Sequence, residues 1–287
     1  MRPTLAVLGG SGLYEMEGLS DVTELAVDTP YGRPSDVLVK GTLPSGTTML
    51  FLPRHGRGHR IPPHQIDYRA NVCALKLAGA THLVSVSAVG SMREEIVPGH
   101  LVVPDQFIDL TKGRVSTFFE DGVVGHVPFA DPVCGQLAAA VATAAEGAGA
   151  TVHRGGTYVC MEGPQFSTRA ESLLYRSWNV DVIGMTAMPE AKLAREAELP
   201  YATLALATDY DCWHGTHEDV TIEAVLATMK KNVGLAKKTL GLLAGALPDP
   251  TKSVAHGAAR SALMTSKSAL PADAGTRLGW LLGDAVR

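Results

Sequence analysis

The 287-residue chain has only four cysteines, and their positions exclude two common kinds of site. The four are far apart in sequence, with no C-x-x-C pair among them: Cys73, Cys134, Cys160 and Cys212. Such spacing indicates neither a zinc-binding knuckle nor a disulfide framework. The cysteines therefore predict a reduced, cytoplasmic protein.

The sequence also lacks a strong excess of charge and a long apolar run. Its formal net charge is −4, which predicts no basic surface for a nucleic-acid partner. No segment approaches the roughly 20 apolar residues of a membrane span, and the apolar stretch near the N-terminus is too short for a signal peptide. We therefore predict no nucleic-acid partner and no membrane association. A pocket for a phosphate-sized ligand is compatible with this charge, because it needs only one or two arginines.

What the chain does have is a series of short apolar runs that are rich in β-forming residues. They cover residues 4–9, 47–53, 81–91, 100–109, 155–163, 180–186 and 201–209. Helix-like segments lie between several of them, at residues 66–79, 132–149, 167–178 and 187–199. Because strands alternate with helices and the runs are continuously apolar, we predict an α/β fold whose sheet is buried on both faces.

The C-terminal part changes in composition. Helical periodicity extends from residue 220 to about residue 247, and the chain then becomes rich in alanine and serine. We assign residues 1–250 to the main domain and residues 251–287 to a partly helical tail. A docked tail and a mobile tail are both compatible with this composition.

A glycine-rich segment, VLGGSGLY (7–14), follows the first apolar run. Glycines let backbone N–H groups approach an anion closely, and the hydroxyl of Ser11 adds a donor, so the segment could hold a phosphate. It matches neither the dinucleotide-binding pattern nor the P-loop. An ordinary tight turn explains the same glycines.

A basic segment at residues 53–69 contains four arginines and three histidines. Histidines suggest a metal, but no carboxylate or cysteine has matching spacing and the arginines would repel a cation. An anion suits the charge better, with an arginine fork that holds a phosphate through paired charge-assisted hydrogen bonds. A solvated basic loop is the alternative.

Other predicted strands end in small or polar side chains. Ser87 and Ala88 lie near the end of one run, Met185 and Thr186 end another, and Phe166 precedes a helix. Open α/β sheets bind ligands at such strand ends. The recurrence favours a ligand site over packing alone.

The segment TDYDCW (208–213) places Asp209 and Asp211 two positions apart, directly after an apolar run. The spacing by itself leaves three roles open for the carboxylates. They could hold a metal, perform acid/base chemistry or bind a ligand.

Taken together, these segments resemble a known family. GGSGLY, VDTPYGRPSD, RHGRGH, SAVGSMREEIVPG, DQFIDLT, EGPQFSTRAES, MTAMPE and ATDYDCW occur in this order over about residues 4–245. The set is similar to the 5′-methylthioadenosine phosphorylases, in the trimeric branch of the purine nucleoside phosphorylases. The resemblance implies a single α/β domain with a twisted central sheet flanked by helices. It also implies phosphorolysis of a purine nucleoside, with inorganic phosphate as co-substrate, no cofactor and a homotrimeric assembly.

The resemblance also assigns roles to individual residues. The implied phosphate ligands are Ser11, Arg54, His55, Ser87, Ala88 and Thr186. For the nucleoside, it places Phe166 beside the base, Met185 at the ribose, and Asp209 and Asp211 at the purine edge. The implied 5′ end of the substrate is lined by His126, Ser167 and Ile222, with His126 reaching across the trimer interface to the neighbouring subunit's substrate.

The implied reaction suggests a different role for each of the two aspartates. Cleavage of an N-glycosidic bond leaves negative charge on the departing base, so a carboxylic acid at N7 can act as general acid if burial raises its pKa. We predict that Asp209 is this acid and that Asp211 accepts a hydrogen bond from the 6-amino group. An ionised carboxylate favours a 6-amino over a 6-oxo purine. No metal is needed, and we predict none.

Two other functions are compatible with the sequence. A broader purine nucleoside phosphorylase, acting on adenosine or other 5′-substituted 5′-deoxyadenosines, is favoured by residues near the 5′ end that depart from the family pattern. Ile222 stands there where valine is usual. A nucleoside-binding protein without turnover would keep the base and ribose contacts but has no use for a phosphate site.

Overall fold

The computed structural model of the chain describes residues 3–10, 12–214 and 222–286, and in the last range it describes side chains from residue 228 onward. Within these ranges the chain forms eleven β-strands: β1 (Thr4–Gly9), β2 (Ser20–Leu25), β3 (Leu38–Thr42), β4 (Thr48–Pro53), β5 (His82–Ser91), β6 (Leu101–Val103), β7 (Gln106–Asp109), β8 (Val152–Arg154), β9 (Thr157–Cys160), β10 (Val182–Gly184) and β11 (Tyr201–Asp209). It also forms seven α-helices: α1 (Tyr68–Leu77), α2 (Gly135–Gly147), α3 (Arg169–Ser177), α4 (Ala187–Glu196), α5 (Ile222–Ala244), α6 (Ala258–Ala262) and α7 (Ala274–Leu282).

The strands form one mixed sheet in which β5 is the central strand. The order along the sheet is β2-β3-β4-β1-β5-β10-β9-β7, and β11 pairs with β5 and β6. β5 runs parallel to β1 and β11 and antiparallel to β10. This arrangement confirms the predicted α/β fold with a central sheet flanked by helices.

The two faces of the sheet belong to two separate hydrophobic cores. In β1, Ala6 and Leu8 lie in one core and Leu5 and Val7 in the other, because successive strand residues point to opposite faces. Helices α1 and α4 contribute to the first core, and α2 and α5 to the second. The continuously apolar runs reflect this burial on both faces, so that prediction is confirmed.

Local sequence signals place the helix ends correctly. The side chain of Thr168 accepts from the backbone N–H of Glu171, whose carboxylate accepts in return from the Thr168 backbone, which forms a capping box at the start of α3. Gly79 and Gly149 follow α1 and α2 with φ of 93° and 89°, a conformation that favours glycine.

Two parts of the sheet differ from the prediction. The run at residues 100–109 is not one strand but two, β6 and β7, separated by Pro104 and Asp105. Proline has no N–H for a strand ladder, which accounts for the break. Strands β2, β3 and β8 were not predicted; β2 is almost entirely exposed and polar, so it lacks the apolar signal.

The segment after residue 250 packs on the body of the domain. Leu278, Leu281 and Leu282 of α7 lie in the same core as α1 and α4. Leu263 forms an isolated β-bridge with Gly125.

A buried ion pair connects the sheet to α4. The side chains of Arg54 and Glu190 are 2% and 0% exposed, and they form an ion pair through Arg54 Nε and Nη2. Arg54 Nη2 also donates to the Leu8 carbonyl at 3.0 Å and to Ser85 Oγ at 2.7 Å, and Nη1 donates to the Val86 carbonyl at 3.2 Å. The guanidinium therefore links the ends of β1 and β4 to β5 and α4.

We predict that Glu190→Gln destabilises the protein strongly, because it leaves the Arg54 charge buried without a counter-charge. Breaking a buried pair in this way costs about 3–5 kcal/mol in the free energy of unfolding, measurable by urea denaturation. Glu146→Gln is the matched control, since Glu146 pairs with Arg154 at the surface, where the side chains are 47% and 46% exposed. Equal and small losses in the two variants would contradict the prediction.

Candidate active site

A cavity of about 590 Å³ opens at the carboxyl ends of the central strands. It contains residues that follow β1 and β4, the last residues of β5, and the ends of β10 and β11. The carboxyl ends of parallel strands meet at one edge of the sheet, which is the usual ligand position in open α/β folds. The cavity brings together nine of the predicted site residues: Arg54, His55, Ser87, Ala88, Phe166, Met185, Thr186, Asp209 and Asp211.

The other four predicted residues are placed differently. Ser11 lies outside the described residues, and Ile222 begins α5 with a side chain that also lies outside them. His126 is exposed, and its backbone N–H donates to the Ala262 carbonyl at 3.0 Å. Ser167 is buried beside Asp211. His126 and Ser167 are not among the residues that line the cavity of the single chain.

One end of the cavity has two buried hydroxyls that are available to a ligand. Ser87 Oγ and Thr186 Oγ1 make no hydrogen bond within the part of the chain that the structure describes. A buried hydroxyl without a partner is unfavourable, and an anion that accepts from both would satisfy them. Arg54 and His55 line the same cavity. The arrangement suits a small anion such as phosphate.

The guanidinium of Arg54 is not free to bind an anion as the predicted arginine fork would. Its Nε and Nη2 face Glu190, Leu8 and Ser85, so the fork is already occupied by a carboxylate. The Arg54 fork therefore pairs with Glu190, and the phosphate contact of Arg54 stays a prediction. Nη1 makes one hydrogen bond, to Val86, although it carries two hydrogens. The second Nη1 hydrogen is the contact that Arg54 can still offer.

His55 is uncharged at neutral pH in this environment. Burial, and to a smaller extent the nearby Arg54 charge, lowers the pKa of His55 to about 4. His55 Nδ1 is 2.9 Å from the Ile61 carbonyl, which can only accept, so Nδ1 carries the hydrogen and Nε2 is an acceptor. The His59 ring stacks on His55 with centroids 4.2 Å apart. His55 therefore gains a positive charge only when an anion beside it raises its pKa.

The cavity also contains Asp209. Its Oδ2 accepts from Thr208 Oγ1 at 2.7 Å, and its Oδ1 accepts from the Asp211 backbone N–H at 2.8 Å. Burial raises the pKa of Asp209 above its usual range, with the neighbouring Asp211 charge acting in the same direction. Such a carboxyl group can hold a proton closer to neutral pH and donate it to a ligand.

Asp211 is held by two serine hydroxyls. Ser167 Oγ lies 2.8 and 2.7 Å from its two oxygens and donates its single hydrogen to this carboxylate, and Ser172 Oγ donates to Oδ2. The two hydroxyls hold the Asp211 side chain in place. Ser167 was predicted at the 5′ end, but its hydroxyl is directed to Asp211. No metal-binding group of three or more His, Cys, Asp or Glu side chains is found among the described residues.

Two supporting residues were not found from the sequence. Ser172 lies five positions after Ser167, a spacing that carries no signal for a shared partner. Arg114 is the other. Its Nη1 donates to the carbonyls of Met185 and Met188 at 2.7 and 2.6 Å, and its Nη2 donates to the Glu162 carbonyl at 2.7 Å. Arg114 thus fixes two cavity loops, but it lies in a loop without a recognisable pattern.

Comparison with known proteins identifies the family. A sequence model of the phosphorylase superfamily matches residues 4–243. The S-methyl-5′-thioadenosine phosphorylase of Geobacter sulfurreducens is 57% identical over 287 residues, which is 100% of both chains. The enzyme of the same name from Koribacter versatilis is 51% identical and covers 99% of this chain and 97% of its own. Within the described residues, no helix combines the length and apolar character required to cross a membrane.

Solved structures agree with these sequence relatives. A methylthioadenosine phosphorylase from an antarctic soil metagenomic library superposes with a TM-score of 0.92 at 49% identity, covering 98% of this chain and 99% of that one. The methylthioadenosine phosphorylase of Schistosoma mansoni in complex with adenine gives a TM-score of 0.85 at 36% identity, covering 91% of this chain and 99% of that one.

We predict that sulfate binds more tightly as the pH falls from 7 towards 4. Sulfate keeps two charges over this range, whereas His55, whose pKa is about 4 without an anion, becomes protonated more readily when the anion is bound. The measurement is a calorimetric titration with sulfate at a series of pH values.

His55→Asn is the control for this titration, because its amide can still donate to the Ile61 carbonyl but cannot become charged. The pH dependence should become much shallower in this variant. An unchanged pH dependence would assign the effect to another group, such as Asp209.

Proposed function

The chain belongs to the phosphorylase superfamily, and we propose that it catalyses the phosphorolysis of 5′-methylthioadenosine to adenine and 5-methylthioribose 1-phosphate. The enzyme is then a pentosyltransferase. The observation that carries the proposal is one cavity that is lined both by two residues with unpartnered buried hydroxyls and by a carboxyl group of raised pKa. Phosphate needs the hydroxyl donors, and a departing purine needs the carboxyl group as a proton donor.

Phosphate is held at the end formed by Ser87, Ala88 and Thr186. The two hydroxyls donate to its oxygens, and the second Nη1 hydrogen of Arg54 adds a charge-assisted hydrogen bond. Bound phosphate raises the pKa of His55, or donates its own P–OH hydrogen to His55 Nε2. The sequence adds Ser11 to this set. These contacts hold the nucleophile in position for attack on the anomeric carbon.

Asp209 assists the departure of the base. As the bond to the anomeric carbon breaks, the ribose gains oxocarbenium character and the purine gains negative charge. A protonated Asp209 donates its hydrogen to N7, which neutralises that charge as it develops. Its burial supports this role, because a carboxyl group in water would be ionised at neutral pH.

Asp211 selects the base. Its carboxylate, held by Ser167 and Ser172, accepts a hydrogen bond from the 6-amino group and disfavours a 6-oxo group. Phe166 lies at the cavity with 48% of its surface exposed, in a position to stack on the base. Met185 lies on the ribose.

An apolar 5′ substituent is supported by α5. Met229 and Val233 of this helix line the cavity, and they favour a methylthio group over a hydroxyl. Ile222 at the start of α5 belongs to the same subsite by the sequence resemblance.

The same proposal includes the assembly and setting of the enzyme. We place it in the cytoplasm as a homotrimer that recovers adenine in purine and methionine salvage, without a metal or cofactor. The exposed position of His126 outside its own chain's cavity supports a contact with the neighbouring subunit's substrate.

The test of the function is adenine release from 5′-methylthioadenosine with and without phosphate. We expect release only with phosphate, together with one equivalent of 5-methylthioribose 1-phosphate. Adenine release that ignores phosphate would identify a hydrolase instead. A kcat/KM for adenosine equal to that for 5′-methylthioadenosine would favour the broader nucleoside phosphorylase.

Asp209→Asn should lower kcat by a factor of about 10²–10⁴, as expected for loss of a general acid. The amide keeps the shape and one acceptor but has no acidic hydrogen for N7. Steady-state kinetics at saturating phosphate measure the effect. Asp28→Asn, at an exposed surface ion pair, is the control and should leave kcat unchanged. A kcat of Asp209→Asn close to wild type would remove Asp209 from the mechanism.

A further inference from the structure

Tyr158 has a buried hydroxyl that the mechanism has not used. The residue lies in β9 and is 0% exposed, and its Oη makes no hydrogen bond of ordinary geometry within the described part of the chain. Its ring packs against Phe107 with centroids 5.8 Å apart. Packing would be served equally well by phenylalanine, so the hydroxyl calls for a separate explanation.

The hydroxyl lies directly behind the wall of the cavity. β9 pairs with β10, so that Tyr158 is opposite Val182 and Cys160 is opposite Gly184. A methyl group on residue 184 would overlap the Tyr158 hydroxyl, and Gly184 itself lines the cavity. Glycine at this position is therefore what allows the hydroxyl to reach the cavity wall.

The groups around Tyr158 Oη belong to the proposed phosphate end. Burial raises the pKa of Tyr158, whereas the Ser87 hydroxyl, the Thr186 backbone and the Arg54 charge lower it, and all three of these residues line the cavity. Ser87 Oγ and Thr186 Oγ1 are also buried without partners. Three unpartnered hydroxyls thus lie around one part of the cavity.

We propose that Tyr158 is a positioning residue for phosphate: in the complex with phosphate its hydroxyl donates to Ser87 Oγ and thereby turns the Ser87 hydrogen towards the anion. This proposal rests on the proposed function, because it assigns a residue that supports the proposed phosphate ligand Ser87 from behind. Tyr158 acts through Ser87 and does not touch the substrate.

The direction of the hydrogen bonds follows from the inventory of donors and acceptors. A serine hydroxyl has one hydrogen, and it can donate that hydrogen to only one partner at a time. If Ser87 accepts from Tyr158, its own hydrogen is left for an acceptor, and the unprotonated oxygens of phosphate are acceptors. Burial raises the pKa of Tyr158 far above neutral, so its hydroxyl stays a donor throughout the working pH range.

The test is a double-mutant cycle with Tyr158→Phe, Ser87→Ala and the combined variant. Calorimetry measures the Kd of inorganic phosphate, and steady-state kinetics measure the KM values of phosphate and 5′-methylthioadenosine. Tyr158→Phe should raise the Kd and KM of phosphate about 3- to 10-fold, as expected for one lost hydrogen bond, with the nucleoside KM changed by less than about twofold. In the Ser87→Ala background the same substitution should have almost no effect, because Tyr158 acts through Ser87.

Two results would overturn the proposal. An equal effect of Tyr158→Phe with and without Ser87 would mean that Tyr158 acts independently of Ser87. An equal rise in the KM of both substrates, or no change in either, would mean that its role is packing only. Tyr31→Phe is the control, because it removes a partly buried tyrosine hydroxyl that donates to the Arg277 carbonyl at 3.4 Å and is not part of the cavity. It should leave both KM values unchanged.

The design also separates this proposal from the proposed function. Wild-type adenine release without phosphate would refute the function itself. Phosphate-dependent release combined with additive effects in the cycle would refute the role of Tyr158 alone. If Tyr158→Phe does not fold, judged by circular dichroism, Tyr158→Met fills a similar volume and enters the cycle in its place.

Discussion

The ion pair between Arg54 and Glu190 is the constraint around which the site is arranged. A guanidinium that is only 2% exposed needs a counter-charge inside the protein, and Glu190 on α4 supplies it. The pair fixes α4 against β1 and β5, and so helps to place Thr186, just before α4, in the cavity that Ser87 of β5 also lines. It also neutralises most of the positive charge that an arginine would otherwise present to an anion.

Two consequences for the chemistry follow from this pair. Because the fork of Arg54 pairs with Glu190, the proposed phosphate site depends largely on hydroxyl groups, and these need other residues to orient them. Because the Arg54 charge lies near His55, it helps to keep His55 neutral until an anion arrives. Elsewhere in the cavity, burial and the neighbouring Asp211 charge raise the pKa of Asp209, which favours a protonated carboxyl group that can donate to a leaving purine. The two groups therefore differ: the positive charge of Arg54 is balanced by Glu190, whereas burial raises the pKa of Asp209.

The sequence predicts much of the fold, but in the site it predicts the residues that line the cavity and not the residues that hold them in place. Strands β1 and β11 begin and end where their apolar runs do, because burial on both faces leaves a continuous signal. Strand β2 has no such signal because it is exposed. Cavity residues such as Ser87 and Asp211 are recognised through family motifs. Arg114 and Ser172 are not, because they act on segments that only the fold brings to them. The direction of the Arg54 fork is likewise set by Glu190, which is 136 positions away in sequence.

The central claim is that phosphate and purine occupy the two ends of this cavity in the orientation that the side chains dictate. A crystal structure of the protein with phosphate and adenine tests it most directly. The account predicts phosphate within hydrogen-bond distance of Ser87 Oγ, Thr186 Oγ1 and Arg54 Nη1, and adenine with N7 facing Asp209 and its 6-amino group facing Asp211. Phosphate bound away from both hydroxyls, or adenine with N7 turned away from Asp209, would contradict it.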